Sequence, residues 1–357
     1  MVDLGYENGK RVRKTAYAAT QKEARDRLLT LQDQRRDQAI IRDERMTTGQ
    51  YLERWLTDAV KPNVRPSTAE TYATYTRGHL IPSLGRITLT RLGPQDVQRL
   101  INAKLREGLS ARTVLHLRAI LRRALAQAMR WELLTRNVAA LVDPPRVTRE
   151  EIRPLTPEQA RTFLREIHGD RLEALYAVAI ACGLRQGEAL ALMWERVNLD
   201  DGTLAVAKTL IRVDGKLQLG EPKTARSRRT IMLPRVAIDA LRAQRVRQLE
   251  ERLLAGSRWA DSDLVFTSTI GTPLDRHNVT RQFQRLLARV GLPRQRFHDL
   301  RHGCASLLFA QGLTAKDVME VLGHSQISTT ADLYGHMFDE RRREIADRMD
   351  LALRSGA

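Results

Sequence analysis

One candidate for chemistry is an arginine placed at the end of an apolar helix. A buried helix is predicted from about Arg171 to Cys182, with a stop at Gly183, and Arg185 follows two residues later. A guanidinium fixed at the end of a buried helix suits a bidentate grip on a phosphate. Taken alone, an ordinary ion pair with Glu188 explains Arg185 better.

A second candidate is the run His298-Asp299-Leu300-Arg301-His302. If the run is helical, His298 and Arg301 share a face, because they are three residues apart. His298 and His302 have the spacing of zinc-binding histidine pairs. The glutamate of the metalloprotease pattern is missing and no cysteine pair offers further ligands, so a metal centre is disfavoured.

The remaining candidates carry weak signals one by one. Lys223 lies in a basic stretch between two predicted strands, where a loop that contacts nothing is the plain alternative. His324 stands at a predicted helix end, and Tyr334 follows ten residues later beside Gly335, which permits an exposed tyrosine. Taken alone, Tyr334 is better explained as a core or surface aromatic.

Taken in order, these residues resemble the tyrosine recombinases, the phage integrase family. The resemblance rests on Gly183-Leu184-Arg185-Gln186-Gly187-Glu188, Pro222-Lys223-Thr224, His298-Asp299-Leu300-Arg301-His302, and Leu322-Gly323-His324 through Tyr334. It implies a catalytic domain over 156–340, a helical core-site DNA-binding domain over 46–142, and a partial arm-site-binding hairpin and helix over 1–45. A linker over 143–155 and a C-terminal tail helix over 341–357 complete the expected organisation.

The resemblance also implies a reaction that needs no metal and no cofactor. Tyr334 would attack the scissile phosphate of duplex DNA and form a 3′-phosphotyrosine, which conserves the bond energy. A phenol has a pKa of about 10, so it needs a proton acceptor, and His298 is the candidate.

The other groups receive supporting roles from the resemblance. Arg185 and Arg301 would hold the non-bridging oxygens, where charge accumulates. Lys223 would protonate the departing 5′-oxygen, and His324 would hydrogen-bond the phosphate. Glu188 is expected to orient Arg185 or its helix.

Length and composition exclude several protein classes. The 357 residues predict two or three domains, and 42% hydrophobic residues suffice for packed cores. Two cysteines cannot build a disulfide framework, and the longest uncharged apolar run, 174–184, is too short to span a bilayer. Secreted, membrane-spanning, collagen-like and disordered classes are thereby disfavoured.

The charge balance indicates a polyanionic partner or an arginine-rich surface. The net charge is +18, and residues 46–150 contribute 17 basic and 8 acidic side chains. Within this segment, Ser110 is expected to cap a long helix that carries Arg112, Arg118 and Arg122. A solvated face is the plain interpretation of these arginines, but the local excess of charge favours a helix laid along a duplex.

The predicted fold class is mainly α with small β-sheets, in more than one domain. Thr48 is expected to cap the first helix of the 46–142 segment, and an Asn8-Gly9 turn predicts an N-terminal hairpin. In the catalytic segment, one strand is expected over Gly202–Val213, a second over Lys216–Leu219 and a third over Arg229–Leu233.

The resemblance implies two kinds of partner: double-stranded DNA attachment sites and three further copies of the chain, because recombination in this family needs four cleavages and passes through a Holliday junction. A host DNA-bending protein and an excisionase are further partners that the resemblance allows, with a location in the bacterial cytoplasm at the nucleoid. The tail could dock on a neighbouring protomer or fold onto its own domain. Two rival functions are a type IB topoisomerase-like relaxing enzyme and a non-catalytic DNA-binding regulator on the same fold.

Overall fold

The computed structural model describes residues 2–7, 10–14, 20, 23, 45–148, 154–213, 215–222, 228–323, 349 and 353. The chain divides into two compact units, residues 1–149 and 150–357. Each unit has a hydrophobic core of its own.

The first unit begins with an antiparallel hairpin. Its strands are β1, Val2–Glu7, and β2, Lys10–Lys14, with Glu7 opposite Lys10. The pairing confirms the predicted hairpin, whereas the Asn8-Gly9 turn and all of the helix expected after it except residue 23 lie outside the described residues.

Helices build most of the first unit from residue 45 onward, where the structure describes the chain again. They are α1 (Thr48–Trp55), α2 (Pro66–Tyr75), α3 (Ile81–Leu84), α4 (Pro94–Arg106) and α5 (Ala111–Arg130). The expected cap at Thr48 is wrong by one residue, because Thr47 is the residue that caps α1. Thr47 Oγ1 accepts from the Gln50 amide, and Gln50 Oε1 accepts from the Thr47 amide. Ser110 caps α5 as predicted.

The core of the first unit lies between α1 and α5. Leu117, Leu121 and Leu125 follow one another at helical spacing on α5 and are fully buried. Tyr51 of α1 is buried as well, and its hydroxyl donates to the Ala124 carbonyl oxygen across 2.5 Å. This apolar face directs the other side of α5 to solvent.

The second unit is also dominated by helices. They are α6 (Pro157–Glu166), α7 (Glu173–Cys182), α8 (Gln186–Leu190), α9 (Arg235–Ala255), α10 (Arg276–Val290), α11 (Phe297–Ala310) and α12 (Ala315–Leu322). Helix α7 is buried on nearly all sides after its first residue, Glu173, as its apolar sequence predicts. Its position in the core fixes the residues that follow its C-terminal end.

Short strands join these helices, and they correct one expectation. The predicted strand over 202–213 is two strands, β4 (Thr203–Val206) and β5 (Thr209–Val213), in different sheets. Strand β4 lies between β3 (Val197–Asn198) and β7 (Arg229–Met232), whereas β5 pairs with β6 (Lys216–Gly220). The chain leaves the sheet of β3, β4 and β7 at residues 207–208, because β5 pairs with β6 and packs against α8.

The predicted fold class is confirmed: helices dominate both units, and the sheets are small. Among the described residues, no helix combines the length and apolar character that a membrane crossing requires.

Candidate active site

The site begins at the C-terminal end of α7. Gly183 ends the helix in a left-handed conformation, with φ of 60°. A Cβ atom at this position would collide with Leu322 Cδ2 and lie 3.2 Å from Cys304 Sγ. Glycine is therefore required both by the backbone and by the close approach of α11 and α12.

Arg185 is held by the short helix that it precedes. Its Nη1 lies 2.6 Å from Glu188 Oε1, and its backbone amide donates to Glu188 Oε2 across 3.1 Å. The Glu188 side chain is 4% exposed, whereas that of Arg185 is 37% exposed. The predicted ion pair is confirmed, and it holds a guanidinium that still faces solvent.

A glycine lets α8 approach the β5–β6 hairpin. A Cβ atom on Gly187 would lie 2.5 Å from Thr209 Oγ1 and 3.2 Å from the Leu210 carbonyl oxygen. The neighbouring Gln186 donates to the Arg276 carbonyl oxygen across 3.0 Å. Both contacts fix the orientation of α8, and with it Glu188 and Arg185.

Arg301 lies deep in the same region. It belongs to α11, which is helical from Phe297 and so places His298 and Arg301 one turn apart, as predicted. Arg301 is 1% exposed. Its Nη1 donates to the Gly183 carbonyl oxygen across 2.7 Å, and its Nη2 donates to the Leu322 carbonyl oxygen across 2.6 Å.

A further arginine, Arg229, was missed by the sequence analysis. It is the first residue of β7, and its Nε donates to the Val321 carbonyl oxygen across 2.9 Å. Arg185 Nη2 lies 3.5 Å from the Gly323 carbonyl oxygen. Three guanidiniums thus meet successive carbonyl oxygens at the end of α12, and we call Arg185, Arg229 and Arg301 the arginine cap.

The arginine cap concentrates positive charge in a region poor in water. Burial, and then the charge of Arg185, lowers the pKa of Arg301 to about 9. Burial also raises the pKa of Glu188, but Arg229 and Arg185 outweigh this effect, so that the net shift is downward. Glu188 is therefore a carboxylate at neutral pH, and the surplus of positive charge suits an anionic ligand.

His298 is available as a proton acceptor beside the cap. Desolvation by surrounding protein atoms, followed by the charges of His302 and Arg301, lowers the pKa of His298 to about 4, although the residue keeps an exposed side. The imidazole is therefore neutral at pH 7 and can accept a proton. His302 is buried, and its ring centroid lies 5.0 Å from that of His298.

Of the six predicted catalytic residues, the described part of the chain includes Arg185, His298 and Arg301, and the structure brings them together. Lys223, His324 and Tyr334 lie outside the described residues. Close to Lys223 in sequence, Glu221 Oε1 lies 2.8 Å from Lys208 Nζ, and Glu221 also pairs with Arg228.

The sequence did not mark Arg229 as part of the site, because its burial results from the pairing of β7 with β4, two strands that are separated in sequence. An arginine at the start of a predicted strand is ordinarily exposed, and two further arginines and a serine precede it directly in sequence. The available signal was Glu188, a carboxylate in an apolar stretch, because a buried carboxylate needs hydrogen-bond donors for both of its oxygens.

The arginines of α5 lie in the first unit. Arg112 and Arg122 are exposed on the face opposite the core. Arg118 is half-buried, and its Nε has no hydrogen-bond partner among the described residues. Arg123 lies over the Tyr72 ring, 5.6 Å from its centroid. This face can bind an extended anion.

A metal site would require several ligands to converge on one point. Within the described ranges, no three His, Cys, Asp or Glu side chains do so in a way that could hold an ion. A zinc site would need such ligands in addition to His298 and His302.

Comparison with known proteins connects both units to one family. Residues 153–341 match the phage integrase family, and residues 47–105 match the N-terminal SAM-like domain of phage integrases. A tyrosine recombinase XerC-like protein of Caldanaerobacter subterraneus is 29% identical and covers 96% of this chain and 93% of its own. An integrase of Streptomyces ambofaciens is 30% identical over 93% of this chain and 87% of its own.

Solved structures share the fold. The Tn1549 transposon integrase in complex with a circular intermediate DNA has a TM-score of 0.73 at 24% identity, over 85% of this chain and 99% of its own. A lambda integrase tetramer bound to a Holliday junction has a TM-score of 0.61 at 18% identity, over 89% of this chain and 90% of its own.

Proposed function

The chain belongs to the phage integrase family and by that membership is a site-specific recombinase, and we propose that it cuts and rejoins DNA at the site built from Arg185, His298 and Arg301. The observation that carries the proposal is that the Arg185 and Arg301 guanidiniums meet at the ends of α7 and α12, with His298 on α11 one turn from Arg301. Such a site favours a phosphate that gains charge as it reacts.

The proposed first step is transesterification. The Tyr334 oxygen bonds to the scissile phosphorus, the bond from phosphorus to the 5′-oxygen breaks, and a 3′-phosphotyrosine results. His298 takes the phenol proton, and Lys223 gives a proton to the departing 5′-oxygen. The reverse sequence with a new 5′-hydroxyl rejoins the strand, so that no external energy source is needed.

Arg185 and Arg301 are proposed to contact the phosphate in different ways. Arg185 presents a partly exposed guanidinium, so the phosphate meets it first. Arg301 uses one N–H of each terminal nitrogen on a carbonyl oxygen, which leaves the second N–H of each for the phosphate. Its buried charge also acts on the phosphate through a medium of low dielectric constant.

His324 is proposed to hydrogen-bond the phosphate, and Glu188 to orient Arg185. The contact of Glu188 with both the side chain and the amide of Arg185 supports this positioning role.

The proposed partner is double-stranded DNA, bound through the α5 face with Arg112, Arg118 and Arg122 and through the site in the second unit. A homotetramer on a Holliday junction is the proposed assembly, because exchange of both strands of two duplexes needs four cleavages. The lambda integrase tetramer bound to a Holliday junction supports this proposal.

The tail is proposed to take part in assembly by docking on a neighbouring protomer. Deletion of residues 341–357 is then expected to abolish tetramer formation on attachment-site DNA, as measured by gel shift. Unchanged assembly would instead favour a tail that folds onto its own domain.

Accessory partners and location extend the proposal. A host DNA-bending protein and an excisionase are proposed to set the direction of recombination on DNA in the bacterial cytoplasm. Recombination in a purified system with and without each protein measures their contribution.

The deciding experiment is capture of the covalent adduct. On a nicked duplex spanning the candidate attachment site, the chain is expected to form a protein–DNA adduct that EDTA does not prevent and that Tyr334→Phe abolishes. A non-catalytic regulator would give no adduct. A topoisomerase-like enzyme would relax supercoiled DNA without giving recombinant products.

A further inference from the structure

We propose that Arg229 is a positioning residue for strand cleavage. It keeps the Arg185 guanidinium at a fixed distance from the carbonyl oxygens at the C-terminal end of α12. The inference rests on the proposed function, because it concerns the geometry of the arginine that meets the phosphate first. Arg229 contacts the Val321 carbonyl oxygen and the Glu188 carboxylate, and the proposal gives it a positioning role through these two contacts.

A continuous series of contacts joins the C-terminal end of α12 to Arg185, the residue that precedes α8. Arg229 Nε donates to the Val321 carbonyl oxygen across 2.9 Å, and both of its terminal nitrogens lie 3.4 Å from Glu188 Oε2. The other carboxylate oxygen, Oε1, lies 2.6 Å from Arg185 Nη1. A displacement of Arg229 would therefore move Glu188, and with it Arg185, relative to α12.

The charges explain why an arginine fills this place. The buried Glu188 carboxylate pairs with Arg185 and needs further donors for its second oxygen. The carbonyl oxygens at the end of a helix also attract positive charge. A planar guanidinium can donate to a carbonyl oxygen with Nε and to a carboxylate with its terminal nitrogens at the same time. An ammonium group has one nitrogen and cannot keep both contacts in this geometry.

The consequence concerns rate more than DNA affinity. Arg185 keeps its charge and its exposed surface if Arg229 is changed, so that DNA can still bind. Cleavage needs the guanidinium at a defined distance from the phosphate oxygens, and a displacement of about 1 Å can cost about a hundredfold in rate.

The second unit contains a matched arginine away from the site. Arg171 Nε lies 2.6 Å from Glu251 Oε1, and Arg171 Nη2 donates to the Thr267 carbonyl oxygen across 2.7 Å. This residue also joins a partly buried carboxylate to a carbonyl oxygen, with a side chain that is 28% exposed. Arg171→Lys therefore controls for the general effect of losing such a guanidinium.

The test compares the full-length chain with Arg229→Lys, Arg229→Gln and Arg171→Lys. Single-turnover cleavage of the nicked attachment-site duplex gives the rate, gel shift gives the DNA affinity, and thermal unfolding gives the stability. We expect both Arg229 variants to cleave about tenfold to a hundredfold more slowly with unchanged DNA affinity. Arg171→Lys, at a temperature where it is as folded as the Arg229 variants, is expected to cleave at the unmodified rate.

A double-mutant cycle with Glu188→Gln tests the route of the effect. If Arg229 acts through Glu188, the combined loss in rate is smaller than the product of the two single losses. Independent, multiplying losses would overturn the inference, as would equal rates for Arg229→Lys and Arg171→Lys. Absence of any adduct from the unmodified chain would overturn the proposed function together with the inference, whereas an adduct formed at full rate by both Arg229 variants overturns the inference alone.

Discussion

Arg301 and Gly183 are 118 positions apart in the sequence, and Arg301 Nη1 lies 2.7 Å from the Gly183 carbonyl oxygen. The contact joins α11 to the end of α7, the point from which the chain continues to Arg185. A residue with a proposed catalytic role is thus also a structural connection, and variants of the site have to be interpreted with both roles in view.

Replacement of Arg301 by methionine is expected to destabilise the fold. The Gly183 and Leu322 carbonyl oxygens would lose their donors, and each unsatisfied buried group costs about 1–3 kcal/mol. We expect the free energy of unfolding in urea to fall by about 2–5 kcal/mol. Arg196→Met, at an exposed pair with Glu195, is the control and should change it by less than about 0.5 kcal/mol. A similar small change for Arg301→Met would contradict the prediction.

Stability is expected to depend on pH through His298. Its pKa is lowered from 6.5 to about 4 in the folded state, so the unfolded chain binds more protons between these values. The free energy of unfolding should therefore decrease as the pH falls through this window. Urea unfolding at several pH values should show a shallower decrease for His298→Gln, with the remainder partly due to His302, whose pKa burial also lowers. Identical slopes for both proteins would refute the assignment.

Gly183→Ala is expected to disturb the junction of α7, α11 and α12. Left-handed backbone costs an alanine roughly 1 kcal/mol more than glycine, and overpacking against Leu322 adds about 1–3 kcal/mol. Leu322→Ala, which removes the colliding atom, should destabilise the Gly183→Ala protein less than the unmodified one. Thermal unfolding of the two single variants and the double variant measures this coupling, and additive losses would count against the collision.

The α5 face is expected to neutralise DNA phosphates on binding. Arg112→Gln and Arg122→Gln should each weaken binding and lower the salt dependence, by about 0.9 in the slope of log K against log salt for each phosphate that is no longer neutralised. Arg99→Gln, whose guanidinium already pairs with Asp96, is the control in the same unit. Fluorescence anisotropy on attachment-site DNA gives the slopes, and equal slopes for all three variants would rule out a specific contribution of this face.

Much of this architecture follows from local signals in the sequence. Capping residues such as Ser110 and Thr156 satisfy free amides within three residues, so they mark helix starts without reference to the rest of the fold. Gly183 marks a helix end because its backbone conformation disfavours other residues. Strand limits near 207 were not predictable, because the choice between two sheets depends on partners that are distant in sequence.

The sequence by itself determined which chemical groups are available and their order along the chain: Arg185, Lys223, His298, Arg301, His324 and Tyr334. It also determined the helices that carry Arg301 and precede Arg185. Only the tertiary structure decided that Arg301 is buried on two carbonyl oxygens, that Arg185 stays partly exposed, and that Arg229 completes the cap. The physical reason is that burial and pairing of a charge depend on groups from separate elements, which approach only when the core has packed.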